Sequence, residues 1–277
     1  MKIIDALPFF NEIELLKIRL ELLYDAVDAF CIVESKYTYT GKDKPYNFEN
    51  HASEFSRWVD KIIYVKSEPD ITQLDFSIRT ATFDSESAAW HLERGQRNAM
   101  LDICHQFSDE DIFIVTDLDE LTNPAVVNAI RTGNLVVDKA RLEMQMHYYY
   151  MNCCGVGTEN STWNQGYVST VKAIKSSNGL SYLRVHEPMP VIKNSGWHFS
   201  YLGGVEKISF KISSFAHTEL NVPEINNLEH LRKCMELGLD QFSRPGYSYA
   251  FLPVSRYPEP LAKIMLKNLH LLKLNLY

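Results

Sequence analysis

An open α/β fold, with a mostly parallel central sheet flanked by helices, is what the order of apolar segments in this chain predicts. Short apolar runs alternate with segments of helical spacing through the first half. Asn11, Glu34, Asp117 and Asp119 each follow the end of such a run, the edge at which ligands of open sheets gather. The 277 residues, 45% hydrophobic and 23% charged, suffice for one large soluble domain.

The elements follow in order. "KIIDALPFF" reads as a first strand. Asn11 is a plausible N-cap, with Glu14 three positions later, and Ile13, Leu16, Leu20 and Leu23 recur at helical spacing, predicting a helix over 12–25. "AFCIVES" (29–35) and "KIIYVKS" (61–67) are the second and third strands. The polar stretch 68–89 reads as a loop, and helical spacing returns from Trp90 to Phe107. "IFIV" (112–115) is then a buried strand. Later segments at 140–152, 169–176 and 195–204 are strand-like, and 205–217 is helix-like. With no internal repeat and no linker, one compact domain is expected.

Charge and cysteine usage narrow the function. A net charge of −7 argues against a nucleic-acid partner, which calls for a basic face. Five cysteines without a CxxC pair fit a reducing compartment. The start, "MKIIDALPFFNE", reads as a strand and not as a signal peptide or anchor, so the expectation is a cytoplasmic protein. The Asn160-Ser161-Thr162 glycosylation pattern is then a chance match. The tail "PLAKIMLKNLHLLKLNLY" is an apolar, basic helix candidate. It either packs on the body or lies as a peripheral contact on the inner face of an anionic membrane.

The densest chemistry is "VTDLDEL". Asp117, Asp119 and Glu120 lie within five positions of the strand's end, and charges so close call for something positive among them. On an extended backbone Asp117 and Asp119 project to one side. There they are able to share a Mg²⁺ or Mn²⁺ ion, which favours oxygen ligands and leaves positions for substrate phosphates. The plain alternative is a solvated loop turning at Thr122-Asn123-Pro124.

Together "FFNEIELLKIRL", "VDAFCIVESKYTYTGKDKP", "ERGQRNAMLD", "DIFIVTDLDEL" and "SGWHFSYLGG" with "KISFKISSF" resemble glycosyltransferase family 17 across residues 9–215. The resemblance implies a GT-A fold with an Asp-x-Asp metal site, a UDP-sugar donor (UDP-N-acetylglucosamine), and inversion at the anomeric carbon. It divides the chain into a nucleotide-binding half (1–125), an acceptor and catalytic half (126–220) and a C-terminal helical region (221–277). Animal members carry a membrane anchor; without one here, a surface polysaccharide or another glycan, including a lipid-linked sugar, is the expected acceptor.

Similarity to GT-A enzymes points to Pro8, Phe9 and Asn11 at the nucleotide. Glu34 would face uracil or ribose, whose N–H and hydroxyls a carboxylate accepts. Lys44 in a cationic flap would reach a phosphate, and Arg97 beside Asn98 suits bidentate capture of a diphosphate. Asp117 and Asp119 would hold the metal, with His198 as third ligand and His217 as its rival. For the base that inverting transfer requires, Glu206, Glu219 and, less favoured, Glu187 stay open. Tyrosines of "HYYYMN", with Trp163 and Tyr167, are platforms for acceptor sugars or simply strand material. Two other classes compete: a metal-dependent phosphohydrolase, which also uses paired aspartates, and a non-catalytic carbohydrate-binding protein.

Overall fold

The computed structural model describes residues 1–78 and 81–274. Its first half is built from strand–helix units: β1 (Ile3–Phe9), α1 (Ile13–Leu23), β2 (Ala29–Ser35), α2 (Asn47–Asn50), β3 (Ile62–Ser67), α3 (Ala88–Asn98), α4 (Leu101–Cys104) and β4 (Ile112–Val115). The acid-rich segment leads into β5 (Glu120–Thr122) and α5 (Pro124–Arg131), whose N-cap Asn123 accepts from the Ala125 N–H. Then come β6 (Lys139–Tyr148), β7 (Cys153–Gly155), β8 (Thr162–Trp163), β9 (Tyr167–Thr170), α6 (Val171–Lys175), α7 (Leu180–Val185), β10 (Val191–Ser200) and α8 (Val205–Ser214). The chain closes with α9 (Leu228–Leu237), β11 (Tyr249–Phe251) and α10 (Glu259–Lys267).

The sheet is mixed, and the expectation of a mostly parallel one is corrected. β3, β2, β1 and β4 lie side by side and parallel, each joined through helices. β9 then pairs antiparallel with both β4 and β6, and β7, β8 and β11 add further antiparallel pairs. Between β6 and β9 no helix supplies the long crossover that a parallel return demands, so the chain folds straight back.

Alternation along β1 assigns the two faces. Ile3, Leu7 and Phe9 join the core beneath α1, α5 and α10, while Ile4 and Ala6 join the opposite core with Met100, Val171 and Leu180. Asp5 therefore faces α1, where Arg19 sits inside the helix's apolar stripe. The pair is bidentate at 2.7 and 2.6 Å and fully buried. Arg19 Nη1 also donates to the carbonyls of Asp117 (2.6 Å), Leu118 (3.2 Å) and Glu120 (3.0 Å), and Nη2 to Thr116 Oγ1. One side chain thus fastens the first helix, the first strand and the acid-rich turn.

Three local expectations change. Asn11 is not the cap of α1: Glu12 holds that position without a side-chain cap, and Asn11 lines a cavity instead. The strand expected over 169–176 stops at Thr170, whose hydroxyl accepts from the Ala173 N–H and opens α6. The helical reading of 90–107 breaks into α3 and α4. The loop read over 68–89 holds in part: α3 begins at Ala88, and residues 79 and 80 lie outside the described ones. The tail packs on the body through Leu261, Ile264 and Met265, with Lys267 and His270 paired to Glu21 and Glu14 of α1. Residues 275–277 of that tail lie outside the described ones. Among the described residues no helix is long and apolar enough to cross a membrane.

Removing Arg19 would strand a buried carboxylate and unfasten four groups of the acid turn. Arg19→Ala is expected to lower unfolding stability by about 3–5 kcal/mol, and Arg19→Lys to recover only a fraction, since an ammonium lacks the planar fork. Urea denaturation followed by circular dichroism measures both.

Candidate active site

The carboxyl ends of β1 and β4 open onto a cavity of about 720 Å³. Pro8 and Phe9 form its floor, and α3 brings Trp90, Glu93 and Arg97 along one wall. Asp117 and Asp119 also line the cavity, as do aromatic residues that include Tyr148, Trp163, Tyr201 and Tyr247. A smaller cavity of about 260 Å³ adjoins it, sharing Glu12, Asp119, Tyr201 and Lys211 and adding Asn11 and Glu206.

The acids do not lie along an extended backbone as the sequence reading expects. The chain turns at Leu118-Asp119, with the Glu120 N–H donating to Asp117 O (3.0 Å) and the Asp117 N–H to Glu120 Oε2 (2.9 Å). The turn is needed because β5 must run back antiparallel against β10. Gly196 of β10 permits that approach: a Cβ there would lie 2.1 Å from the Leu121 carbonyl oxygen.

Because of the turn, each acid meets a cation, and Arg184 serves two of them. Asp117 accepts from Arg97 Nη2 (2.9 Å) and Arg184 Nη2 (2.7 Å). Glu120, fully buried, takes Arg184 Nη2 (2.6 Å) and Nη1 (3.1 Å) and the Trp163 indole N–H (2.5 Å). Asp119 accepts from Lys211 Nζ at 2.7 Å, and His198 Nε2 lies 3.4 Å from its other oxygen. Burial alone would push both aspartate pKa values up. Arg184 and Arg97 outweigh it at Asp117, and Lys211 and His198 at Asp119, so both lie below the usual range. Burial would lower the pKa of Lys211, but Asp119 more than offsets this and raises it.

The residues present suit a divalent ion at one place. Asp119 and His198 offer an oxygen and a nitrogen 3.4 Å apart, a separation compatible with two ligands of one ion whose remaining shell is substrate oxygen. Asp117 is not free for that role, since a guanidinium holds each of its oxygens. Among the described residues no cluster of three or more potential ligands occurs.

The other sequence candidates divide. Arg97 lines the main cavity and is almost fully buried, and its Nε and Nη1 have no partner. Glu34 is turned away from both cavities: Lys44 Nζ, the Asn47 and Phe48 N–H groups and the Tyr64 hydroxyl occupy its carboxylate. That saturation also removes Lys44 from the cleft, its ammonium lying 5.5 Å from the Phe10 ring centre. Asn98 accepts from the Ser181 N–H (3.0 Å) and so seats α7, the helix carrying Arg184. Glu206 lines the smaller cavity on exposed backbone after Gly204, whose φ of +94° suits glycine. Glu219 lines neither cavity but bonds to His217, which does line the main one. Glu187 pairs with Lys139 outside both. Arg184 had no place in the sequence reading, and Lys211 lay within the matching stretch "KISFKISSF" without being given a role.

These pKa directions carry a sign. Both carboxylates are depressed, so their stabilising pairing is fully present above the unfolded carboxylate pKa of about 4 and is lost as pH falls through the folded values. Asp119→Asn is therefore expected to flatten the fall in stability below pH 4, in urea denaturation repeated across acid pH. Lys211, raised, keeps its contribution until pH exceeds the ordinary lysine range.

Comparison with known proteins adds the family. The chain is similar to mannose-6-phosphate isomerase from Helicobacter pylori, with a TM-score of 0.35 and 14% identity over 68% of this chain and 76% of that one. It is also similar to residues 1–349 of S. aureus TarS, with a TM-score of 0.39 and 10% identity over 87% of this chain and 70% of that one. Likenesses this loose bear on no functional question. No curated protein matches the chain. The model of glycosyltransferase family 17 matches residues 1–263, which takes in every strand and the acid turn with its partners, and the chain belongs to that family.

Proposed function

We propose that this glycosyltransferase moves N-acetylglucosamine from UDP to a glycan or lipid-linked sugar acceptor, with inversion and with Mn²⁺ or Mg²⁺, on a GT-A fold. The observation that carries the reading is the acid turn at the carboxyl end of β4. It faces the 720 Å³ cavity together with the end of β1 and the unsatisfied guanidinium of Arg97.

Pro8 and Phe9 form the surface on which the nucleotide lies. A buried donor without an acceptor costs about 1–3 kcal/mol, and Arg97 has two such nitrogens. A diphosphate or uracil oxygen supplies what they lack. Asp117, gripped by Arg97 and Arg184, holds both guanidiniums in place and keeps one negative charge from repelling the donor. Asp119 and His198 would hold the ion, which when bound offsets charge on the departing diphosphate. Lys211 stays protonated beside Asp119 and adds a second positive charge there. Tyr148 and Tyr247, with Trp163 beside the acid turn, line the same cavity and offer flat apolar faces suited to sugar rings. Of the carboxylate candidates for the base, Glu206 lines the smaller cavity and Glu219 reaches the main one only through His217.

All five cysteines are free, buried thiols, which supports a cytoplasmic setting. The exposed Leu266, Leu269 and Leu274 with the tail lysines support peripheral contact with a membrane that carries the acceptor.

Incubation with UDP-N-acetylglucosamine and Mn²⁺ is expected to release UDP slowly without acceptor; inorganic phosphate instead would mark a phosphohydrolase, and neither a carbohydrate-binding module. Asp119→Asn is expected to abolish metal-supported UDP binding by titration calorimetry while leaving the far-ultraviolet spectrum unchanged. Unaltered heats would sink the metal assignment.

A further inference from the structure

His217, which lines the main cavity, and Glu219 form a pair whose imidazole the roles above leave unused. His217 Nδ1 lies 2.7 Å from Glu219 Oε1. The imidazole is held among aromatic rings: perpendicular to Trp90 at 4.9 Å, and 5.7 and 5.8 Å from Phe215 and Phe83. Trp90 and His217 both line the cavity, and the Trp90 indole N–H is buried without a partner. Glu219 does not line it, and its side chain is only 12% exposed. Whatever this carboxylate does for a substrate, it does through the imidazole.

A carboxylate on Nδ1 selects the tautomer in which Nδ1 carries the hydrogen and Nε2 presents a lone pair. Nε2 has no hydrogen-bond partner among the described residues. An unpartnered N–H on Trp90 and a lone pair on His217 thus sit on one wall, the complement of a hydroxyl that must be both held and deprotonated. The charged groups of the neighbouring helices that line this cavity are already matched. On α3, Glu93 pairs with Arg97, and on α8, Lys211 pairs with Asp119. Glu219 is the charge that His217 feels directly.

We propose that His217 takes the proton from the acceptor hydroxyl as it attacks, with Glu219 as its positioning residue. The inference rests on the transfer reaction above. The acceptor O–H bond breaks and its proton passes to Nε2. The oxygen's electron pair forms the bond to the anomeric carbon, and the bond from that carbon to the diphosphate oxygen breaks, its pair leaving with UDP. The Glu219 carboxyl oxygen, 2.7 Å from Nδ1, faces the positive ring this creates.

The test measures UDP release from UDP-N-acetylglucosamine with Mn²⁺, and from a panel of other UDP-sugars, across pH 5–9, for wild type, His217→Asn and Glu219→Gln. His217→Asn is expected to lose at least about 10²-fold in kcat while retaining UDP binding by calorimetry. Glu219→Gln is expected to keep part of the activity, lowering kcat while leaving the KM for the donor unchanged, because the imidazole loses its positioning contact and the donor site is untouched. Wild-type turnover in His217→Asn, or a wild-type kcat in Glu219→Gln, overturns the assignment, and Glu206 becomes the base. A wild type that turns over no donor in the panel defeats the transfer reading itself, and this one with it.

Discussion

Arg19 is the contact on which the site depends. A guanidinium buried with a single carboxylate would be an expensive core element, but here every face of the fork is used. Asp5 takes one edge, and the carbonyls of residues 117, 118 and 120 with the Thr116 hydroxyl take the rest. The Leu118 carbonyl has no other partner among the described residues, and the Asp117 carbonyl has only the Glu120 N–H besides. Arg19 satisfies them and, in doing so, decides where the turn's side chains point.

From that anchor the charges sort themselves. Asp117, Asp119 and Glu120 would repel one another strongly in a partly buried setting, and three cations from distant parts of the chain prevent it. Arg97 comes from α3, Arg184 from α7 and Lys211 from α8. Arg184 bridges two of the acids, and Asn98 and Ser181 fix the helix that carries it. The network aligns charged groups before any substrate arrives, which is how a site avoids reorganising during the reaction. It also makes the acid turn a joint between the parallel half of the sheet and the antiparallel half, since β5 and β10 meet directly behind it.

The sequence revealed the parallel half well. β1, β2, β3 and β4 are runs with one apolar face toward each layer, and their ends marked the cleft. Of the candidate residues, Pro8, Phe9, Arg97, Asp117, Asp119 and His198 do meet around the main cavity. Glu34 illustrates the limit: an acid ending a strand looks the same on paper whether it faces a ligand or caps a neighbouring helix. Four donors from residues 44, 47, 48 and 64 decide the matter, and none has a spacing that predicts it.

What the sequence by itself determined was local: which segments are extended, which are helical, and that three acids crowd the end of one buried strand. Those properties follow from side-chain period and short-range charge, both readable along the chain. Only the tertiary structure decided the sheet's mixed direction and the partners of the acids. Pairing direction depends on what connects two strands. A counter-charge 67 or 92 residues away is chosen by packing, which leaves no trace in the neighbourhood of the residue it serves.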